Sequence, residues 1–147
     1  MDRIVFLGTS RCLPTLHRDN TSLLYECQEE ALLIDCGGKP YQKLLQANLD
    51  PDKLATIIIT HYHVDHCYGL PSLLSSLHLS GRTRPLRVLG LPGVIDKLSV
   101  LMGVFDYPET WDKVMPLFPI EFVKVPPTRG AVIHTGPALE VSACVNS

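Results

Sequence analysis

The sequence predicts an α/β (α+β) fold with a mixed sheet. Short β-branched apolar segments alternate along the chain with segments in which leucines recur every three or four residues, and this alternation is typical of strands followed by helices. The chain has 147 residues, of which 46% are hydrophobic and 19% are charged. That composition indicates a globular domain with a substantial core. Because the sequence contains no internal repeat, low-complexity tract or linker, we expect one domain or part of one.

The first third of the chain predicts three strands and a helix. An apolar segment beginning at Arg3 ends at Gly8, and a polar loop follows as far as Asn20. Two further apolar segments are separated by three polar residues, which predicts a hairpin. The second of them stops at a pair of glycines, after which leucines recur at helical spacing. The predicted elements are strands over residues 3–7, 22–27 and 31–36 and a helix within residues 40–49.

The middle of the chain contains the clearest strand. Residues 56–60 form a continuous apolar run of the kind that is buried on both faces of a sheet. A helix is expected to begin near Leu70 and Pro71, because proline is tolerated in the first turn. The remaining predicted elements are strands over residues 86–89, 121–125, 131–135 and 139–144 and a helix over residues 92–102.

Charge and cysteine content exclude several classes of protein. Thirteen basic and fifteen acidic residues give a net charge of −2, so a broadly basic coat for nucleic acid is excluded and only a modest cluster of Arg82, Arg84 and Arg87 is expected. The five cysteines are scattered, with neither a C-x-x-C pair nor a leading signal peptide, which predicts reduced thiols and a cytoplasmic location. No apolar run approaches the roughly 20 residues of a membrane span.

Four potential metal ligands directly follow the buried strand: His61, His63, Asp65 and His66. Alternate residues of an extended segment point the same way, so His61 and His63 can bind one ion together. Asp65, two residues further on, points to the same side of the segment. His66 lies where the chain turns into a helix and can reach a second ion. Two ions roughly 3.5 to 4 Å apart would support hydrolysis. A purely solvated histidine cluster is disfavoured, because crowded imidazoles and a carboxylate gain stability from a cation among them.

The motif His61-x-His63-x-Asp65-His66 resembles the signature of the metallo-β-lactamase fold. Residues 6–10, 14–15, 20, 33–37 and 59–71 further resemble the ribonuclease Z branch, the tRNA 3′-processing endonucleases, and the resemblance extends over about residues 3 to 100. It implies an αββα sandwich of which this chain covers about the first αβ half. Residues 1–147 are then the N-terminal half of a single, incomplete domain.

The resemblance also implies roles for the motif residues. His61 and His63 would bind one zinc ion, and Asp65 and His66 the other, with Asp65 also acting as the catalytic general base. Two Zn²⁺ ions are expected in the complete domain, with Mn²⁺ or iron as alternatives. Precursor tRNA is the implied RNA substrate and a homodimer the implied assembly. From the residues themselves, we expect Asp35, which closes a strand before two glycines, to orient the histidine segment as an outer-shell partner.

Departures from the ribonuclease Z pattern keep other functions open. Val64 stands where the family commonly has glycine, and Gly38-Lys39-Pro40 replaces its usual Glu-Gly-Thr. The third histidine, the bridging aspartate and the late histidine that the fold supplies from its second half are not seen in this sequence. A small-molecule hydrolase acting on a lactone, thioester or cyclic nucleotide is therefore one alternative. A catalytically silent truncated form is another.

The other conspicuous side chains have simpler expected roles. His134 is disfavoured as a substitute ligand because its strand precedes the one that should end at the metal, and Cys67 is expected to pack rather than to act as a ligand or nucleophile. His17 and His78 are expected on a loop and on a helix surface. The aromatic group is assigned to core or lid packing, with base stacking as the alternative; its members are Phe105, Tyr107, Trp111 and Phe118.

Overall fold

A computed structural model of the chain describes residues 2–113, 117–136 and 139–143. Its strands are β1 (Arg3–Gly8), β2 (Ser22–Glu26), β3 (Ala31–Ile34), β4 (Leu54–Ile58), β5 (Leu86–Gly90), β6 (Ile120–Lys124), β7 (Ala131–Thr135) and β8 (Glu140–Ala143). Its α-helices are α1 (Pro40–Gln46), α2 (Val64–Cys67), α3 (Leu70–Leu79) and α4 (Pro92–Val104), with 3₁₀ turns at Pro51–Lys53 and Trp111–Lys113. The predicted alternation of strands and helices is confirmed, while the end of the last predicted strand, at Cys144, falls outside the described residues.

Six strands form one mixed sheet in the order β1-β2-β3-β4-β5-β6. The first three strands pair antiparallel, and the pairs from β3 to β6 are parallel. The strands β7 and β8 form a separate antiparallel hairpin. Because β3, β4 and β5 run in the same direction, their carboxyl ends meet at one edge of the sheet, which is where ligand sites of α/β folds commonly lie.

The main core lies between the sheet and the helices on one of its faces. Each of α1, α3 and α4 has a proline in its first turn, consistent with the start of a helix. The leucines of α3 that were expected on one face are all buried and belong to one core cluster with residues of α4 and the central strands. The continuous apolar character of β4 therefore reflects burial among neighbouring parallel strands.

The opposite face of the sheet is only partly covered. Ile4 and Phe6 of β1 are 64% and 70% exposed, although the sequence places them in an apolar strand. The hairpin lies over part of this face, and a cavity lined by Ile4, Ile34 and Ile58 separates it from the sheet. Exposed apolar faces commonly mark surfaces that pack against another element, and the second layer expected from the resemblance stays a prediction. No helix within the described residues is long and apolar enough to cross a bilayer.

One prediction about a side chain is wrong. His78 was expected on the surface of a helix, but α3 turns it inward, where its ring stacks on Trp111 with centroids 6.2 Å apart. Arg82, a member of the expected basic cluster, is only 4% exposed. Its guanidinium donates to the carbonyl oxygens of Leu54 at 2.6 Å and of Pro85 at 2.9 Å. Arg82 therefore satisfies backbone carbonyls, and Arg84 and Arg87 keep the solvent-facing charge of that group.

Candidate metal centre

The histidine segment is presented by the carboxyl end of β4. Ile57 and Ile59 are buried, and the chain stays extended beyond β4, since the Ile59 N–H donates to the Leu89 carbonyl at 2.8 Å. His61 and His63 then occupy a short connection before α2. Asp65 and His66 lie within α2, a single helical turn that the sequence did not predict. The buried strand thus fixes the start of the segment, and α2 fixes its end.

The structure brings the four predicted ligands together as two pairs. The His61 Nε2 lies 3.1 Å from the His63 Nδ1, and the His66 Nε2 lies 3.3 Å from the Asp65 Oδ2. The two pairs adjoin, because the ring centroids of His61 and His66 are 4.0 Å apart. Three imidazoles and one carboxylate therefore share one edge of the sheet.

The donor chemistry of these pairs fits divalent zinc. Two ligand nitrogens that bind one tetrahedral ion at about 2.0–2.1 Å each lie about 3.3–3.4 Å apart, close to the separation of the His61 and His63 nitrogens. Within the described residues, no three histidine, cysteine, aspartate or glutamate side chains converge on one metal-binding point. The arrangement therefore fits two partial ligand sets, with two protein donors in each.

Asp35 connects β3 to the histidine segment. It is buried, lies directly after β3, and has a left-handed φ of 60°, a conformation that aspartate tolerates better than most residues. Its carboxylate accepts hydrogen bonds from the Thr60 N–H at 2.9 Å and from the His66 Nδ1 at 2.7 Å. A bond of this kind leaves the His66 Nε2 as the free electron-pair donor. Asp35 thus contacts both Thr60 and His66, as an orienting residue would, and its orienting role stays a prediction.

The electrostatics of the cluster favour a neutral imidazole at His61. Burial is the largest cause of a lowered His61 pKa, and the neighbouring His66 and His63 lower it further. A neutral imidazole is the form that coordinates a metal ion. The His61 side chain is therefore suited to bind a metal cation.

Cys67 faces away from this chemistry. Burial raises the pKa of its thiol, and the charges of Asp35 and Asp65 raise it further. Its Sγ donates to the carbonyl oxygen of His63 at 3.4 Å, and the side chain belongs to the main core. A protonated, buried thiol is a poor ligand and nucleophile, which agrees with the expected packing role.

Two glycines allow the Asp35 segment and the histidine segment to approach closely. A Cβ on Gly37 would lie 2.0 Å from the carbonyl oxygen of Asp65, and a Cβ on Gly69 would lie 2.6 Å from that of Cys36. The Cys36 N–H donates to the His66 carbonyl at 2.7 Å. The sequence shows both glycines, but only the structure shows that each one faces backbone of the other segment.

A cleft of about 530 Å³ opens beside the second donor pair. It is lined by Arg11, Cys12, Thr21, His63, Val64, Asp65 and His66. Arg11 was not predicted as a site residue, because no spacing or motif in the sequence links it to the histidines. His17, on the same loop, lines a different cavity beside Lys39 and Lys43.

His134 does not join the cluster. Its Nδ1 lies 3.2 Å from the Thr56 Oγ1, and its Nε2 lies 3.3 Å from the Glu30 Oε1. All three side chains are buried. His134 therefore connects the hairpin to the large sheet, and the low expectation of a ligand role at this position is consistent with its place.

Comparison with known proteins assigns the family. A family model described as "Anti-Pycsar protein Apyc1" matches residues 2–128. The chain belongs to this family. It is also 36% identical over 110 residues to a ribonuclease Z of Methanococcus maripaludis, an alignment that covers 72% of this chain and 36% of the relative.

Solved structures show the same fold. The short form of human tRNase Z is 28% identical, with a TM-score of 0.69 over 84% of this chain and 44% of that one. The metallo-β-lactamase fold protein YhfI of Bacillus subtilis is 20% identical, with a TM-score of 0.66 over 92% and 49%. The chain is thus a ribonuclease Z-like member of the metallo-β-lactamase superfamily, which confirms the resemblance and the fold class. It spans about a third to a half of the length of these proteins.

Proposed function

We propose that this chain carries the first-half ligands of a zinc-dependent phosphodiester hydrolase of the ribonuclease Z type, which processes the 3′ end of precursor tRNA. The observation that supports this most directly is the pairing of His61 with His63 and of Asp65 with His66 at the carboxyl end of β4. The relatives named ribonuclease Z support the substrate class. We further infer that residues 1–147 form the N-terminal half of one domain, with later ligands supplied by the second half.

The chain's own residues account for the first part of such a reaction. Paired divalent ions, when bound, supply polarisation of the scissile phosphate and activation of a water molecule. Asp65 lines the cleft and lies next to His66, which supports a role for its carboxylate in orienting the attacking water and accepting its proton. Asp35 holds His66 in the ring orientation that leaves Nε2 free. Zn²⁺ is the proposed ion, with Mn²⁺ or iron as alternatives.

A small-molecule hydrolase is the second candidate. The cleft beside Asp65 has a volume of about 530 Å³, which is in the range of small-ligand pockets. The family model that matches residues 2–128 is described as "Anti-Pycsar protein Apyc1" and not as a ribonuclease Z. The family is therefore compatible with a substrate other than precursor tRNA. Lactones, thioesters and cyclic nucleotides are the substrate types that this candidate would take.

Hydrolysis assays separate these candidates. The protein is incubated with a precursor tRNA that carries a 3′ trailer, with bis-p-nitrophenyl phosphate and with small esters, and its metal content is measured in parallel. Cleavage at the 3′ side of the discriminator base, lost in His63→Ala, is the expected result. Turnover of small substrates alone would favour the second candidate. If the protein binds no metal and turns over no substrate, the silent truncated form is indicated.

The proposal includes a homodimeric assembly and a cytoplasmic location. Ribonuclease Z-type enzymes are expected to act as homodimers in the cytoplasm, and the exposed apolar side chains of β1 are compatible with a further packing partner. Light scattering after gel filtration would give the mass of the particle, for which we expect twice the mass of the protein chain.

A further inference from the structure

The loop between β1 and β2 is held rigidly against the candidate metal centre. The Ser10 N–H donates to the Asp19 carbonyl at 2.8 Å, and the Thr21 hydroxyl donates to the Ser10 carbonyl at 2.8 Å. Gly8 allows the two ends of the loop to meet, because a Cβ there would lie 1.9 Å from the Asn20 carbonyl oxygen. The loop is therefore closed at its base by backbone contacts on both sides.

The buried side-chain amide of Asn20 holds the backbone at Arg11 and Cys12 through hydrogen bonds. Asn20 is 2% exposed, and its Nδ2 donates to the carbonyl oxygens of Arg11 at 2.8 Å and of Cys12 at 3.3 Å. Its Oδ1 accepts from the Tyr68 hydroxyl at 3.2 Å, which connects the loop to the segment that follows the histidine motif. The Arg11 side chain is thus carried by a backbone of fixed position.

Arg11 lines the same cleft as three of the predicted ligands, His63, Asp65 and His66. Among the described residues that line this cleft, Arg11 alone carries a permanent positive charge. Across the described ranges, the Arg11 guanidinium forms neither a hydrogen bond nor an ion pair with another side chain. Its donors are therefore available to a ligand.

A free guanidinium beside this cluster has a definite chemical preference. Its planar N–H donors match the paired oxygens of a phosphate group, and hydrogen bonds between charged groups are roughly twice as strong as neutral ones. We propose that Arg11 is a specificity-determining residue that binds an anionic phosphate oxygen of the substrate in the cleft formed with His63, Asp65 and His66. This inference rests on the proposed function and narrows its substrate class to phosphate-containing molecules over neutral esters.

The same loop offers a matched control. Arg18 is also exposed, but it lines the separate cavity that contains His17 and Lys43. Within the residues that the structure describes, its guanidinium forms neither a hydrogen bond nor an ion pair. Arg11→Met removes the charge and keeps the side-chain length, Arg11→Lys keeps the charge without the planar fork, and Arg18→Met removes an equal charge from the other side of the loop. Because both arginines are exposed, all three variants should unfold at the same temperature as the parent.

Binding of inorganic phosphate is the primary test, measured by isothermal titration calorimetry on the zinc-loaded protein. Arg11→Met should raise the phosphate Kd by about tenfold or more, Arg11→Lys should raise it less, and Arg18→Met should leave it unchanged. Arg11→Met should also raise KM for bis-p-nitrophenyl phosphate more than it lowers kcat. Arg18→Met should leave both kinetic constants at the parent values.

The outcomes separate this inference from the proposed function. Phosphate binding that depends on Arg11 supports the inference even if the protein cleaves no RNA. The inference is overturned if the parent binds no phosphate, if Arg11→Met binds phosphate as the parent does, or if Arg11→Met and Arg18→Met weaken it equally. Phosphodiester hydrolysis that is lost in His63→Ala but unaffected by Arg11→Met would leave the proposed function standing and remove the role of Arg11.

Discussion

The histidines at the end of β4 and the histidine in β7 lie in opposite environments. His134 is buried, and an oxygen of Thr56 or Glu30 lies beside each of its ring nitrogens. His61 and His63 instead lie nearer the surface, and the partner of each facing nitrogen is the other imidazole, 3.1 Å away. An imidazole whose polar atoms are satisfied by neighbours contributes to folding, whereas facing imidazoles gain most from a shared cation. The difference favours a structural role for His134 and is consistent with the proposed metal binding by His61 and His63.

The largest expected effect follows removal of one facing imidazole. His63→Ala should lower phosphodiester hydrolysis by about 10³-fold or more, because the loss of a donor forfeits several kcal/mol of transition-state stabilisation. Since His63 is exposed, the unfolding temperature of the metal-free protein should change little. Steady-state rates and calorimetry measure both, with His17→Ala as the control on a different cavity. Equal rates for the two variants would contradict the assignment.

Asp35→Asn tests the positioning of His66. Asparagine tolerates the left-handed backbone of residue 35, but it replaces the charged acceptor of the His66 Nδ1. Zinc affinity should fall about 10–100-fold, as measured by competition with a chelating dye. Asp96→Asn removes a carboxylate that pairs with Lys124 at the surface and should leave the affinity unchanged. An unchanged affinity in Asp35→Asn would remove its orienting role.

His134→Leu tests whether His134 has a structural role. It leaves Glu30 buried without its imidazole partner, which should lower the free energy of unfolding by about 1–3 kcal/mol. Urea titration measures the change, and the rate per folded molecule should stay at the parent value. Replacing both residues by leucine should recover part of the stability. A loss of bound metal in His134→Leu would show that this histidine belongs to the metal centre.

The smallest expected effect is the pH dependence of the metal-free protein. The folded state lowers the pKa of His61, so the unfolded chain takes up a proton first as the pH falls. The stability associated with His61 is therefore present above its ordinary value of 6.5 and is lost as the pH falls through the lowered pKa. Urea unfolding in EDTA at several pH values should show a smaller acid loss for His61→Gln than for the parent. An equal loss would contradict the account.

Local pattern predicted much of the fold. The apolar run of β4, the leucine face of α3 and the order of strands and helices depend on nearest neighbours, and the structure has them as expected. The close spacing of His61 and His63 likewise follows from one short segment. Such features are visible in sequence because few long-range contacts are needed to create them.

The features that the sequence did not reveal depend on contacts between distant segments. His78 packs against Trp111, and Arg82 donates to backbone carbonyls of distant segments. Arg11 lines the cleft on a backbone whose carbonyl accepts a hydrogen bond from Asn20. None of these contacts has a periodicity or a spacing that marks it in the sequence.

The central claim is that His61, His63, Asp65 and His66, which follow β4, bind metal through imidazole nitrogens and a carboxylate oxygen. X-ray absorption at the zinc edge of the loaded protein tests it most directly. We predict a first shell of nitrogen and oxygen at about 2.0–2.1 Å with outer-shell scattering from imidazole, the imidazole signal being reduced in His63→Ala and unchanged in His134→Leu. A sulfur scatterer at about 2.3 Å, or the same spectrum in His63→Ala as in the parent, would contradict the claim.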